Sequence, residues 1–202
     1  MPFPAFFDQA PIIAMIDPLS HFLGATPDGR IEYRYEDAVR LAGHSCPTVA
    51  GTWLMLAKGL KALYGEAMPE RGAIEVHFPS PADEGVTGVM AAIASLVTGA
   101  TAETGFKGLG GRFDRRHRLF FSSPLAGDLG LRRQDSMQGV IARFDASGVP
   151  ADPQMRARLV RLIEGRGEAE DEREFARLWQ ERVQRLILDH ADNPALVAIR
   201  AW

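Results

Sequence analysis

The chain has one cysteine and five histidines, and the cysteine stands two residues after a histidine and directly before a proline, in His44-Ser45-Cys46-Pro47. Pro47 suits the first position of a helix, where the N–H it lacks would have no intrahelical partner. Cys46 is then the N-cap. The free N–H groups and partial positive charge at a helix N-terminus favour a thiolate, the form that binds metal or attacks an electrophile. His44 offers a second ligand or a base. Zinc takes three or four protein ligands, so the expectation is a metal site in which His77 and His21 complete the set begun by His44 and Cys46. His77 lies on the strand that follows the Cys46 helix, and His21 in a turn-rich segment able to fold over that helix's mouth. Thiolate and imidazole suit zinc or another transition metal better than magnesium or calcium. An open coordination position would make the protein a metal-dependent enzyme. Two alternatives stay open: a cysteine that merely caps a helix beside a solvated His44, and a cysteine nucleophile with His44 or His77 as base.

A second candidate is the glycine-rich stretch GFKGLGGRFDRRHR, residues 105–118, which gathers Lys107, Arg112, Arg115, Arg116 and Arg118. Lys107 and Arg112 are the expected contacts to a small anionic ligand. The stretch is not a Walker A loop, and it follows a helix, whereas a dinucleotide-binding loop follows a strand. Its alternative is a flexible connection ending in a solvated basic strand. The cluster is too short, and too poor in interleaved aromatics, for nucleic acid. No G-x-S-x-G occurs, so a serine hydrolase is not expected.

These residues need elements to position them. After Pro47, Val49, Trp53, Leu56, Ala57, Leu60, Leu63 and Tyr64 recur at helical spacing and Gly65 closes the run, predicting a helix over 47–64. Ile31, Tyr33 and Tyr35 alternate with Glu32 and Arg34 as a strand, and Ile74, Val76 and Phe78 alternate with Glu75 and His77 as another. A second helix is expected to start at Ser80 as N-cap, with Pro81 in the first turn and Asp83 closing a capping box. Its stripe is Val86, Val89, Met90, Ile93, Leu96 and Val97. RLFF at 118–121, GVIARFD at 139–145 and ALVAIRAW at 195–202 read as further strands, and the first thirty residues as irregular. Met155, Leu159, Leu162 and Ile163 mark a short helix. Phe175, Leu178, Trp179, Val183, Leu186 and Ile187 line a long charged one, whose acidic start suits the helix dipole. The order predicts an α+β fold with a mixed or antiparallel sheet. One domain is expected over 1–150, with a helical extension over 151–202 packed on it or on a partner.

At AGHSCPTVAGTWLMLAKGLKALYG, residues 42–65, the sequence resembles the FmdE family, which takes its name from a component of formylmethanofuran dehydrogenase. Members typically show H-G-H-x-C-P-G before such a helix, then a strand, a helix ending near T-G-C-T, a G-K-G loop and a strand around G-K-x-A-F. Gly43, His44, Cys46 and Pro47 match the first motif, Thr98, Gly99 and Thr101 the second, Lys107 and Gly108 the loop, and RHRLFF loosely the last strand. The likeness covers about residues 35–121. Ala42, Thr48 and Ala100 depart from it, and residues 151–202 hold no zinc-ribbon cysteines. The resemblance implies an α+β fold that pairs into homodimers and binds zinc or another metal, with only His44 and Cys46 carried over as ligands.

At 202 residues and 46% hydrophobic, the chain is long enough to bury a core, and its formal charge of −3 exerts no net pull toward nucleic acid or anionic lipid. One cysteine makes no intramolecular disulfide. The proline-broken start is a poor signal peptide, and no apolar run has the roughly 18–20 residues that span a bilayer. A soluble cytoplasmic protein without membrane or nucleic-acid partners is expected. The competing function is a non-catalytic dimeric binding or assembly protein.

Overall fold

The computed structural model describes residues 3–202. Strands β1 (Ile13–Ile16) and β2 (Arg30–Tyr33) form a small antiparallel ribbon around a short helix α1 (Pro18–Phe22). Helices α2 (Tyr35–Ala42) and α3 (Pro47–Tyr64) follow, then β3 (Ile74–His77) and α4 (Thr87–Thr98). Strands β4 (Leu119–Phe120), β5 (Leu129–Arg133) and β6 (Gly139–Phe144) lead to helices α5 (Pro153–Ile163) and α6 (Ala169–Gln184), a π-helical turn at Arg185–Asp189, and β7 (Val197–Ala201). The main sheet runs β4-β3-β5-β6-β7, antiparallel except for the parallel β3–β4 pair. The fold is α+β, as expected.

Helix α3 is the centre of the core, because its sequence is apolar on nearly every side. Val49, Ala50, Trp53, Leu54, Met55, Leu56 and Leu60 are all buried. It lies on the inner face of the sheet, against Leu129, Leu131, Val140 and Ala142. Gly51 permits the close approach, since a Cβ there would collide with the Phe144 ring. Val183, Leu186 and Ile187 join the same core, as does Val197 of β7, so the C-terminal segment packs on the body and supplies its last strand.

Helix α3 begins at Pro47 and ends before Gly65, and β3, β6 and β7 lie where the patterns place them. Helix α4 does not begin at Ser80-Pro81. Residues 80–86 form turns, Gly85 takes a positive φ of 57°, and the helix starts at Thr87 with an exposed Val86 as N-cap. Tyr35 is not the end of a strand. It opens α2, fully buried, with its ring edge-on to Phe7 and to Trp53. The first thirty residues hold β1 and α1, where an irregular segment was expected.

Candidate functional site

Cys46 is the N-cap of α3, but its thiol makes no capping hydrogen bond, and the residue is buried at 8% exposure. Tyr35 Oη shares a hydrogen bond of 2.9 Å with Ser45 Oγ, and Trp179 Nε1 and Gln180 Nε2 of α6 donate to the Ser45 carbonyl at 2.8 and 3.3 Å. Helix α6 thus closes over the motif. His44 is exposed, with Nδ1 3.0 Å from the Ala42 carbonyl. His21 is exposed on α1. His77 lies on β3 with Nδ1 3.1 Å from Ser123 Oγ. The structure does not bring His44, Cys46, His77 and His21 together. Among the described residues no three His, Cys, Asp or Glu side chains are grouped to hold a metal ion, so the donor set does not fit the three- or four-ligand shell of zinc. Iodoacetamide should therefore modify Cys46 slowly in the native protein, at the same rate with and without chelator, and rapidly once unfolded. Release of the thiol by chelator would show that a metal holds it.

Charge converges elsewhere. Asp17 follows β1 and caps α1, its Oδ1 accepting from Leu19 N at 2.9 Å and Ser20 N at 3.2 Å. The same carboxylate receives Arg115 Nη2 at 2.6 Å and Arg71 Nη1 at 3.0 Å, and Asp17 and Arg115 are only 3% and 5% exposed. Two cations therefore share one buried anion. Arg71 is otherwise satisfied: its Nε and Nη2 donate to the Val97 and Leu96 carbonyls at the end of α4, where the helix dipole favours a cation. Arg115 is not. Its Nε and Nη1 are buried without a hydrogen-bond partner among the described residues.

The main chain around Arg115 is held firmly. Its N–H donates to the Phe106 carbonyl, and its carbonyl accepts from Thr101 N and Oγ1 at 2.9 and 2.8 Å. Gly72, at φ 92°, leaves room for the guanidinium, where any Cβ would collide with Nη1. Burial pushes Arg115 below the usual guanidinium range; Asp17 opposes that shift and Arg71 adds to it. For Asp17 burial pulls upward, yet Arg115, Arg71 and the Ser20 N–H outweigh it and hold the carboxyl below its ordinary value.

Arg71 and Arg115 line a cleft of about 320 Å³, with Arg112 and Arg118 at its other walls and Pro18, Phe113 and Gln134 between. Arg112 stacks over the Phe113 ring at 4.6 Å. Asp114 also reaches the cleft, but its carboxylate is tied to Arg116 at 2.7 Å, which with the Arg116 N–H holds it well below the usual range. Glu70 is the other acidic residue of the lining. Of the two residues expected to contact an anion, Arg112 lines this cleft and Lys107 is exposed outside it. Asp17, Arg71 and Gly72 were not singled out from the sequence. The one local signal was Asp17-Pro18, an N-cap followed by proline at the first helical position.

No family model matches the chain, and no curated protein matches it. Among solved structures it is similar to a tungsten formylmethanofuran dehydrogenase FmdE-like protein from Syntrophus aciditrophicus. Identity is 16%, the match covers 84% of this chain and 72% of that one, and the TM-score is 0.44. No helix among the described residues is long and apolar enough to cross a membrane.

Proposed function

We propose that this protein binds a small organic anion, a carboxylate or phosphate ester, in the arginine cleft between α1, the turn before β3 and the glycine-rich loop. The observation that carries the reading is Arg115: a guanidinium buried at 5% exposure, sharing its only carboxylate with Arg71, with two nitrogens unpaired among the described residues. A buried cation without full pairing is costly. An anion in the cleft offsets that cost through its charge, because Arg115 Nε and Nη1 are themselves closed off, Nη1 against Gly72 and Gly99. The cleft volume of about 320 Å³ exceeds what a bare oxyanion fills and suits a small organic body. Arg112 and Arg118 supply the outer charge, and Phe113 and Pro18 the apolar contact.

The test is a thermal melt at constant ionic strength, with chloride replaced by inorganic phosphate or sulfate, in wild type and in Arg112→Ala, because screening acts in all three salts and the exclusion of phosphate and sulfate from protein surface acts equally on both proteins. An anion at 100 times its Kd adds about 2.7 kcal/mol, which raises the midpoint of a chain this size by roughly 5–11 °C. Arg112→Ala, a change at an exposed cleft wall, should shrink that rise without altering the melt in chloride. Equal midpoints in all three salts would reject the reading.

A further inference from the structure

The outer face of the main sheet holds a second arrangement, which the anion reading does not use. His77 and Glu75 alternate on β3 and so project to the same side, away from the core residues Ile74 and Val76. The imidazole is clamped: it stacks on Phe120 of β4 at 4.5 Å and meets the edge of Trp202 at 4.8 Å. Ser123 Oγ lies 3.1 Å from His77 Nδ1. On the other side of the ring, Glu75 Oε2 lies 3.5 Å from Nε2, which has no hydrogen-bond partner among the described residues. Arg132 of β5 holds that carboxylate with Nε at 2.9 Å and Nη2 at 2.6 Å.

The order Ser–His–Glu has a direction. A carboxylate beside Nε2 favours the tautomer with its proton on Nε2, leaving the Nδ1 lone pair to accept the serine O–H. The charged groups facing the ring are Glu75 on its own strand and Arg132 on β5; β4 and the residue after β7 present aromatic rings. Burial lowers the His77 pKa below 6.5, partly opposed by Glu75, so the ring is neutral at pH 7 and able to take a proton. Ser123 is only partly buried, and the residue before it, Ser122, has a φ of 53°, a conformation that costs a non-glycine residue energy.

We propose that Ser123 is a nucleophile for small acyl esters, with His77 as its general base and Glu75 as the residue that positions and polarises His77. Ser123 Oγ attacks the ester carbonyl while its proton passes to His77 Nδ1. The carbon–oxygen bond of the ester breaks and His77 returns the proton to the departing alcohol. Water then attacks the acyl-serine, giving its proton to His77, which passes it to the serine oxygen as the carboxylic acid leaves.

The first probe is diisopropyl fluorophosphate on the full chain, in which the Oγ–phosphorus bond forms, the phosphorus–fluorine bond breaks and the serine proton leaves through His77. Peptide mass spectrometry should place the adduct on Ser123 and on no other serine. His77→Gln should slow its formation by roughly 10²-fold or more. Glu75→Gln should slow it less and move the acid limb of the pH–rate profile to lower pH, because removing the negative charge lowers the His77 pKa; a merely structural role for Glu75 would leave that limb in place. If His77→Gln fails to fold, the Glu75→Gln profile decides. Para-nitrophenyl acetate should leave a transient acetyl group on Ser123. No adduct on Ser123 of folded wild type, or an adduct rate and pH limb unmoved by these variants, overturns the nucleophile. Phosphorylation by the probe without acetylation overturns the ester assignment.

Discussion

Asp17→Ala should destabilise the protein by about 3–5 kcal/mol at pH 7, the range for removing one partner of a buried ion pair. Asp17 is the single carboxylate between two guanidiniums, one of which is almost wholly buried. Without it Arg115 keeps no side-chain partner among the described residues, and α1 loses its two N-cap bonds. The effect depends on pH with a definite sign. The native carboxyl is held below its ordinary 3.8, so its contribution is fully present above that value and disappears as pH falls through the depressed native one. Denaturant titrations should therefore show wild type losing its advantage over Asp17→Ala only in strong acid. Inorganic phosphate should restore part of the lost stability, because it replaces the missing negative charge beside Arg115. A loss below about 1 kcal/mol would place the pair among weak surface bridges and remove the basis for a buried cation in need of an anion.

Trp53→Ala should cost a similar amount for a different reason. Trp53 is fully buried in the middle of α3, edge-on to Tyr35 at 6.2 Å, and its Nε1 donates to the Pro11 carbonyl at 2.8 Å. Truncating a buried tryptophan costs about 3–5 kcal/mol, and the orphaned carbonyl adds about 1 kcal/mol. Thermal melts should fall by roughly 8–24 °C for a chain of this length. Trp53→Phe should recover most of the packing but not the hydrogen bond. The Asp17 and Trp53 effects should differ in acid: the first fades and the second does not. A Trp53→Ala melt within about 3 °C of wild type, less than about 1 kcal/mol of lost stability, would mean that α3 is not the centre of the core.

These two residues also show what could be read in advance. Trp53 was legible, since it belongs to a helix whose start, stripe and stop are all local: Pro47, the apolar spacing and Gly65. Strand β5 was not, because LGLRR has little alternation of its own and is defined by pairing with β3 and β6. Ser80-Pro81-Ala82-Asp83 imitates a helix start, but Gly85 and the turn bonds from Glu84 to Pro81 and Thr87 to Glu84 delay the helix. At the cleft, Arg112 was visible as one charge in a basic loop. The convergence of Asp17 with Arg71 and Arg115 spans 54 and 98 residues of sequence, a distance over which spacing carries no signal. His77 was noticed for its ring nitrogens, whereas its neighbour Ser123, 46 residues on, had no motif to mark it.

The measurement closest to the central claim is calorimetric titration of inorganic phosphate into wild type and into Arg115→Met. That variant leaves Asp17 paired with Arg71 and removes the guanidinium whose Nε and Nη1 lack partners among the described residues; its melt is measured alongside, because it also loses the 2.6 Å bond to Asp17. An attraction between the anion and the buried guanidinium at an effective dielectric of about 20 amounts to a few kcal/mol, so one-site binding in wild type should weaken by roughly 10-fold or more in the variant. Binding of equal strength in both, or heat of dilution alone from wild type, would contradict the account.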